Sequence, residues 1–132
     1  MDPAIINLKK ILDPRGNLSI IEADKEIPFQ IRRAYWIYDV PGGEIRGGHA
    51  YKTLSEFIVA LSGSFDVVLQ NGKEEKRYHL NRSYYGLFVP SMYWRHMENF
   101  STNSVAFIVA NQDYNADEYI RDFELFKQLQ KK

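Results

Sequence analysis

A chain of 132 residues, 45% of them hydrophobic, can close one core and is too short for two, so a single domain over 1–132 is expected. Lysine plus arginine and aspartate plus glutamate each total 17, which leaves no net field to draw the protein onto nucleic acid or an anionic membrane. With no cysteine for a disulfide or thiolate site, no signal-peptide pattern and no apolar run near the ~20 residues of a membrane span, a soluble cytoplasmic protein is the expectation.

The dominant period along the chain is two, in short runs broken by turn residues, which predicts strands at 5–8, 17–22, 33–38, 54–62, 64–70, 74–80, 85–89 and 104–110. Asn71 and Gly72 stand between two of these runs and predict a two-residue type I′ hairpin, because both tolerate positive φ. Asn115, with Glu118 three residues on, predicts the start of a C-terminal helix whose stripe is Tyr119, Ile120, Phe123, Phe126 and Leu129. Many short strands, almost no helix and no internal repeat predict an all-β sandwich or barrel, and a jelly roll of the cupin type would close its two sheets over a pocket for one small ligand.

Gly47, Gly48, His49, Tyr51 and Lys52 are followed by Glu56 and Gly63, the spacing of the first cupin motif with tyrosine in place of its second histidine. Gly86, Pro90 and Asn99 anchor the second motif, with Met92 in place of its second glycine, and counting from Pro90 puts the ligand histidine on Arg95. A metal cupin needs histidines at both substituted positions, so a phenol and a permanent cation there argue against a metal site. His96 would supply a ligand only through a one-residue slip, which turns its side chain to the other face of the sheet. His49 shares an alternating face with Tyr51 and Thr53, and an imidazole with pKa near about 6.5 suits abstraction of a carbon-bound proton, whereas His79 reads as an exposed edge residue.

Arg15, Arg33, Arg46, Lys52 and Arg95 supply cations near predicted strand ends, and Tyr35, Tyr51, Tyr93 and Trp94 supply stacking faces with polar handles. Guanidinium groups match phosphate oxygens and aromatic faces stack on bases or sugars, so a nucleotide-activated sugar satisfies both sets.

The stretches 31–40 and 46–52, Leu61-Ser62-Gly63-Ser64, Gly86-Leu87-Phe88-Val89-Pro90, Tyr93-Trp94-Arg95 and Tyr119-Ile120-Arg121-Asp122 resemble the sugar 3,4-ketoisomerases that act on dTDP-4-keto-6-deoxyglucose. The resemblance runs from Asp13-Pro14-Arg15-Gly16 to Phe126. It implies a cupin-type jelly roll without a catalytic metal or redox cofactor, a homodimer that exchanges N-terminal strands, and a dTDP-linked keto-deoxy sugar as substrate. It further implies that the carbonyl moves from C4 to C3 through an enediolate, supplying amino sugars of surface polysaccharides. Carried over residue by residue, His49 takes the base position and Tyr35 faces the sugar, while Arg46 at the pocket mouth holds the diphosphate by charge matching. Tyr51 departs from the family's His-x-His-Lys pattern and would act through its phenol. Family members differ at the positions of Arg15 and Arg95; this chain has arginine at both, one matching the galacto-forming pattern and the other the gluco-forming one, and the expected product leans to galacto. A related sugar epimerase and a non-catalytic nucleotide-sugar-binding cupin are the rival readings.

Overall fold

The structure, a computed structural model, describes residues 1–130. Its strands are β1 (Ala4–Asn7), β2 (Lys10–Ile11), β3 (Leu18–Ser19), β4 (Arg33–Tyr38), β5 (Arg46–Tyr51), β6 (Glu56–Ser62), β7 (Phe65–Gln70), β8 (Glu75–Leu80), β9 (Tyr85–Val89), β10 (Trp94–Glu98), β11 (Val105–Ala110) and β12 (Tyr119–Ile120), followed by helix α1 (Phe123–Gln130). Two antiparallel five-stranded sheets, in the orders β1-β9-β6-β11-β4 and β12-β5-β10-β7-β8, make the jelly roll, and β2 and β3 form a separate hairpin.

Ile58, Phe65, Leu69, Leu87, Met97 and Ile108 belong to the main buried cluster, to which β6, β9 and β11 of one sheet and β7 and β10 of the other contribute. The run Phe57–Ala60 is buried throughout because β6 is covered twice. Ile58 and Ala60 join the main cluster, while Phe57 and Val59 pack under Leu8, Ile27 and Phe29. A strand covered on both faces reads as a continuous apolar run.

Three local expectations are corrected. The β7–β8 hairpin closes with Gln70 opposite Glu75, so its loop holds four residues and not two. Asn71 Oδ1 accepts from the backbone N–H groups of Lys73 and Glu74, and Gly72 at φ +94° makes the turn. The pairing differs by two residues from that of a two-residue turn, so every side chain keeps its face. Asn115 caps only a 3-10 turn, Ala116–Glu118; Tyr119 and Ile120 then pair with Tyr51 and Ala50, and Asp122 Oδ1 caps the true helix through Glu124 N–H. Strands β5, β10 and β12, absent from the expected set, build most of the second sheet.

Gly47 and Gly48 lie at φ +96° and +84° where the β5–β10 register jumps from His49↔Arg95 to Gly47↔His96. A Cβ on Gly47 would lie 3.1 Å from His96 Cα, so the bulge both permits the turn and lets the chains approach. Because the bulge lies in β5, β10 alternates without interruption, with Arg95 buried and His96 half-buried beside Glu98.

A Cβ on Gly86 would meet Phe57 Cζ at 2.5 Å and the Ile58 carbonyl oxygen at 2.6 Å. Gly86→Ala is therefore expected to cost about 1–3 kcal/mol, read as a lower urea midpoint with an unchanged slope. A wild-type midpoint contradicts this packing.

Candidate active site

Alternation on four strands aims a polar set into one end of the sandwich. Arg33 and Tyr35 on β4 and Glu56 on β6 come from the first sheet, and His49 and Tyr51 on β5 and Arg95 on β10 from the second. Ala110, fully buried, pairs with Arg33 on one side and Glu56 on the other, so the row between the two longer side chains holds only a methyl group.

Arg95 and Glu56 form an ion pair between the sheets, Nε to Oε1 at 2.7 Å, with side chains 3% and 0% exposed. Tyr35 donates its hydroxyl to Glu56 Oε2 and accepts from Arg95 Nη2 at 2.9 Å. The Tyr51 hydroxyl reaches the same Oε2 at 3.3 Å. Burial, reinforced for Tyr51 by the Glu56 charge, pushes both phenols well above the ordinary tyrosine range, so both are protonated near neutrality.

His49 is 7% exposed and packs edge-on to Tyr51 and against Tyr119, with ring centroids 4.8 and 4.9 Å away. Its Nε2 is buried without a hydrogen-bond partner. Burial first, then the cations of Arg95, Arg121 and Arg33, push its pKa down to about 3, which keeps the imidazole neutral and able to accept a proton.

Arg33 lies over the rings of Tyr35 and Tyr114 at 5.0 and 5.7 Å, and its Nε is also buried without a partner. Arg121 stacks on Tyr119 at 4.2 Å. A cleft of about 270 Å³ lined by Arg33, Ala34, Tyr35, Tyr114 and Tyr119 forms the mouth beside these residues. Glu118 holds this rim in place by accepting from the N–H groups of Thr53 and Leu54 and from the Thr53 hydroxyl. Neither Arg33 nor Arg121 has a carboxylate partner among the described residues, so the mouth carries uncompensated positive charge.

Of the residues singled out from sequence, His49, Tyr35, Tyr51, Arg33 and Arg95 converge here. Arg95 does so as the buried partner of Glu56, which corrects its expected role as a ligand for phosphate. Trp94 points away from Arg95, as strand alternation requires, and packs on Phe123 and Phe126 of α1 at 5.1 and 5.8 Å. Tyr93 lines a different cleft with Asp2, Leu69 and Tyr78. Arg15 sits 90% exposed beyond β2, chelating Asp13. Arg46 lines a second cleft with Trp36, Tyr38 and Glu44, and Lys52 is exposed just past β5. Glu56, Tyr114, Tyr119 and Arg121 were missing from the expected set. Glu56 was visible as the motif's glutamate, and Tyr119 and Arg121 were hidden by the helical reading of their segment.

A jelly roll closed over a buried imidazole, two buried phenols and an internal ion pair has the architecture of a cupin with a polar interior. The chain belongs to the FdtA family, described as WxcM-like, C-terminal, which matches residues 1–131. It is 41% identical over 127 residues, 96% of this chain and 91% of the relative, to a TDP-4-oxo-6-deoxy-α-D-glucose-3,4-oxoisomerase of Aneurinibacillus thermoaerophilus. Among solved structures it is similar to a 3,4-ketoisomerase from Helicobacter canadensis, at 40% identity and TM-score 0.97, covering 100% of this chain and 99% of the other. It is likewise similar to an asparagine-for-histidine mutant of the 3,4-ketoisomerase QdtA from Thermoanaerobacterium thermosaccharolyticum in complex with TDP-4-keto-6-deoxyglucose, at 33% identity and TM-score 0.96, covering 98% and 94%.

The lowered pKa of His49 has a consequence for stability. Between about pH 3 and 6.5 the unfolded chain binds a proton at this residue that the native state does not, so stability falls as pH drops through that window. The slope contributed approaches about 1.4 kcal/mol per pH unit. Urea unfolding from pH 7 to pH 5 is expected to show this slope in the wild type and to lack it in His49→Asn; equal slopes contradict the neutral buried imidazole.

Proposed function

We propose that the protein is a 3,4-ketoisomerase of TDP-4-keto-6-deoxyglucose. The single observation that carries this reading is the buried, unpartnered Nε2 of His49 beside phenols that share a carboxylate. The substrates of the relatives agree with it.

In the proposed mechanism His49 removes the C3 proton, whose acidity comes from the adjacent C4 ketone. Negative charge develops on O4 of the enediolate, where Tyr35, supported by Arg95, is placed to donate. The proton returns to C4 and the carbonyl is left at C3. Fixed donors in a water-poor cleft stabilise the enediolate without reorganising. The cleft is small beside ligand sites of about 300–1,000 Å³, so it takes the sugar while the nucleotide extends outward. Arg33, which lines the cleft, and Arg121, which stacks on its Tyr119, are assigned to the diphosphate, whereas Arg46 lines a separate cleft.

The protein is further assigned as a homodimer that exchanges N-terminal strands. Exposed Ile11, Leu12 and Leu18 near the β2–β3 hairpin, and exposed Trp36, Tyr38 and Leu61 on the first sheet, support a covering partner. Of the two C4 configurations the galacto product is proposed, on the family resemblance, for the synthesis of surface amino sugars.

Proton NMR of the protein with dTDP-4-keto-6-deoxyglucose in deuterated buffer tests the reading. Conversion to a 3-keto sugar with deuterium at C4 is expected, and a small H4–H5 coupling in protonated buffer reports the galacto configuration. His49→Asn is expected to fold normally and lose about 10²–10⁴-fold in turnover. An unchanged sugar with the wild type, or near wild-type turnover in the variant, contradicts the assignment.

A further inference from the structure

The two phenols of the site meet on one carboxylate oxygen. Tyr35 donates to Glu56 Oε2, and Tyr51 Oη lies 3.3 Å from that same atom, while Oε1 is taken by Arg95 Nε at 2.7 Å. Glu56 is completely buried and Tyr51 is 3% exposed, so these contacts are made away from bulk water. Tyr51 stands where the motif has its second histidine. An imidazole can accept a proton at one nitrogen and release another at the second; a phenol does both at a single oxygen and needs an acceptor behind it. Glu56 Oε2 is that acceptor; it also accepts from Tyr35 and, at 3.3 Å, from Arg95 Nη2.

Isomerisation moves two hydrogens. The carbon-bound one leaves C3 and a proton arrives at C4; the hydroxyl one must leave O3 and a proton must arrive at O4. Resting on the ketoisomerase reading above, we propose that Tyr51, Glu56 and Tyr35 form a relay that carries the hydroxyl proton from O3 to O4, with Glu56 as the positioning residue that joins the two phenols.

The steps balance. As the C3–H bond breaks, Tyr35 gives its phenol proton to O4, and Arg95 Nη2, already 2.9 Å from that phenol oxygen, holds the resulting phenolate. The O3 proton passes to Tyr51 Oη, the proton of Tyr51 passes to Glu56 Oε2, and from there one passes to Tyr35 Oη. The O3–H bond is broken, the O4–H bond is formed, and each side chain regains its starting protonation with no oxidant or reductant consumed.

The relay separates two measurable events, since exchange at C3 needs His49 whereas net conversion also needs the path between the oxygens. Proton NMR in deuterated buffer with dTDP-4-keto-6-deoxyglucose is run on the wild type, Glu56→Gln and Tyr51→Phe. Both variants are expected to lose about 10²–10⁴-fold in conversion, and in Tyr51→Phe, which keeps the Arg95–Glu56 pair, deuterium still enters C3 of the unconverted sugar within about tenfold of the wild-type rate. Tyr51→His is expected to recover conversion relative to Tyr51→Phe, because its second nitrogen replaces the route through Glu56. Tyr51→Phe leaves the Arg95–Glu56 pair intact and decides the matter if Glu56→Gln does not fold. Near wild-type conversion in Tyr51→Phe overturns the relay, as does an equal loss of exchange and conversion in a natively folded Tyr51→Phe. A wild type that leaves the sugar unchanged instead overturns the functional reading, before any variant is compared.

Discussion

The ion pair between Arg95 and Glu56 is the interaction on which the rest of the site depends. It joins β10 of one sheet to β6 of the other inside the sandwich, between groups 39 positions apart in the chain. Removing two charges from water costs several kcal/mol each, and a single contact rarely recovers it. Here Tyr35 and Tyr51 complete the shell, giving the carboxylate four contacts and the guanidinium a phenol to donate to. The arrangement is consequently demanding in geometry, and it fixes where both phenol oxygens lie.

The same pair sets the electrostatics around His49. Arg95 is the register partner of His49 across β5 and β10, so its cation stands close to the imidazole. Together with burial, and with Arg121 and Arg33 at the mouth, it keeps the ring neutral while leaving Nε2 unpaired. The cations that deny His49 a resting proton also favour negative charge on a bound enediolate, so one field serves two steps of the proposed chemistry. The charge of Arg95 is matched inside the core, whereas those of Arg33 and Arg121 remain free for an anionic ligand.

How much of this was legible in the sequence follows from burial. Strands β4, β6, β7, β8, β9 and β11 stand out because they carry alternating or continuous apolar runs, and their ends fall within two residues of the expected ones. Strands β5 and β10 did not stand out, because they start in a glycine pair or carry arginine, histidine and glutamate among few apolar residues. Those polar residues build the site, so the function itself obscures the periodicity. Motif spacing pointed to His49 and Tyr51, and the family resemblance to Tyr35. Clustering of cations and aromatics around a motif could not say which face each occupied, so Trp94 was placed at the site although it lies under α1. The rim residues Tyr119 and Arg121 follow a period of two that a helical stripe over Tyr119, Ile120 and Phe123 concealed.

The central claim is that this inter-sheet pair organises the phenols of the site, and a double-mutant cycle over Glu56→Gln and Arg95→Met tests it most directly, read in both unfolding free energy and turnover. Each single change should cost about 3–5 kcal/mol by leaving its partner buried and unmatched, and the double variant should recover most of that loss. Turnover should nevertheless stay low in the folded double variant, because an amide oxygen accepts the phenols' hydrogen bonds but cannot take and return their protons as the carboxylate does. Additive losses of stability, or wild-type turnover in the double variant, would contradict the account.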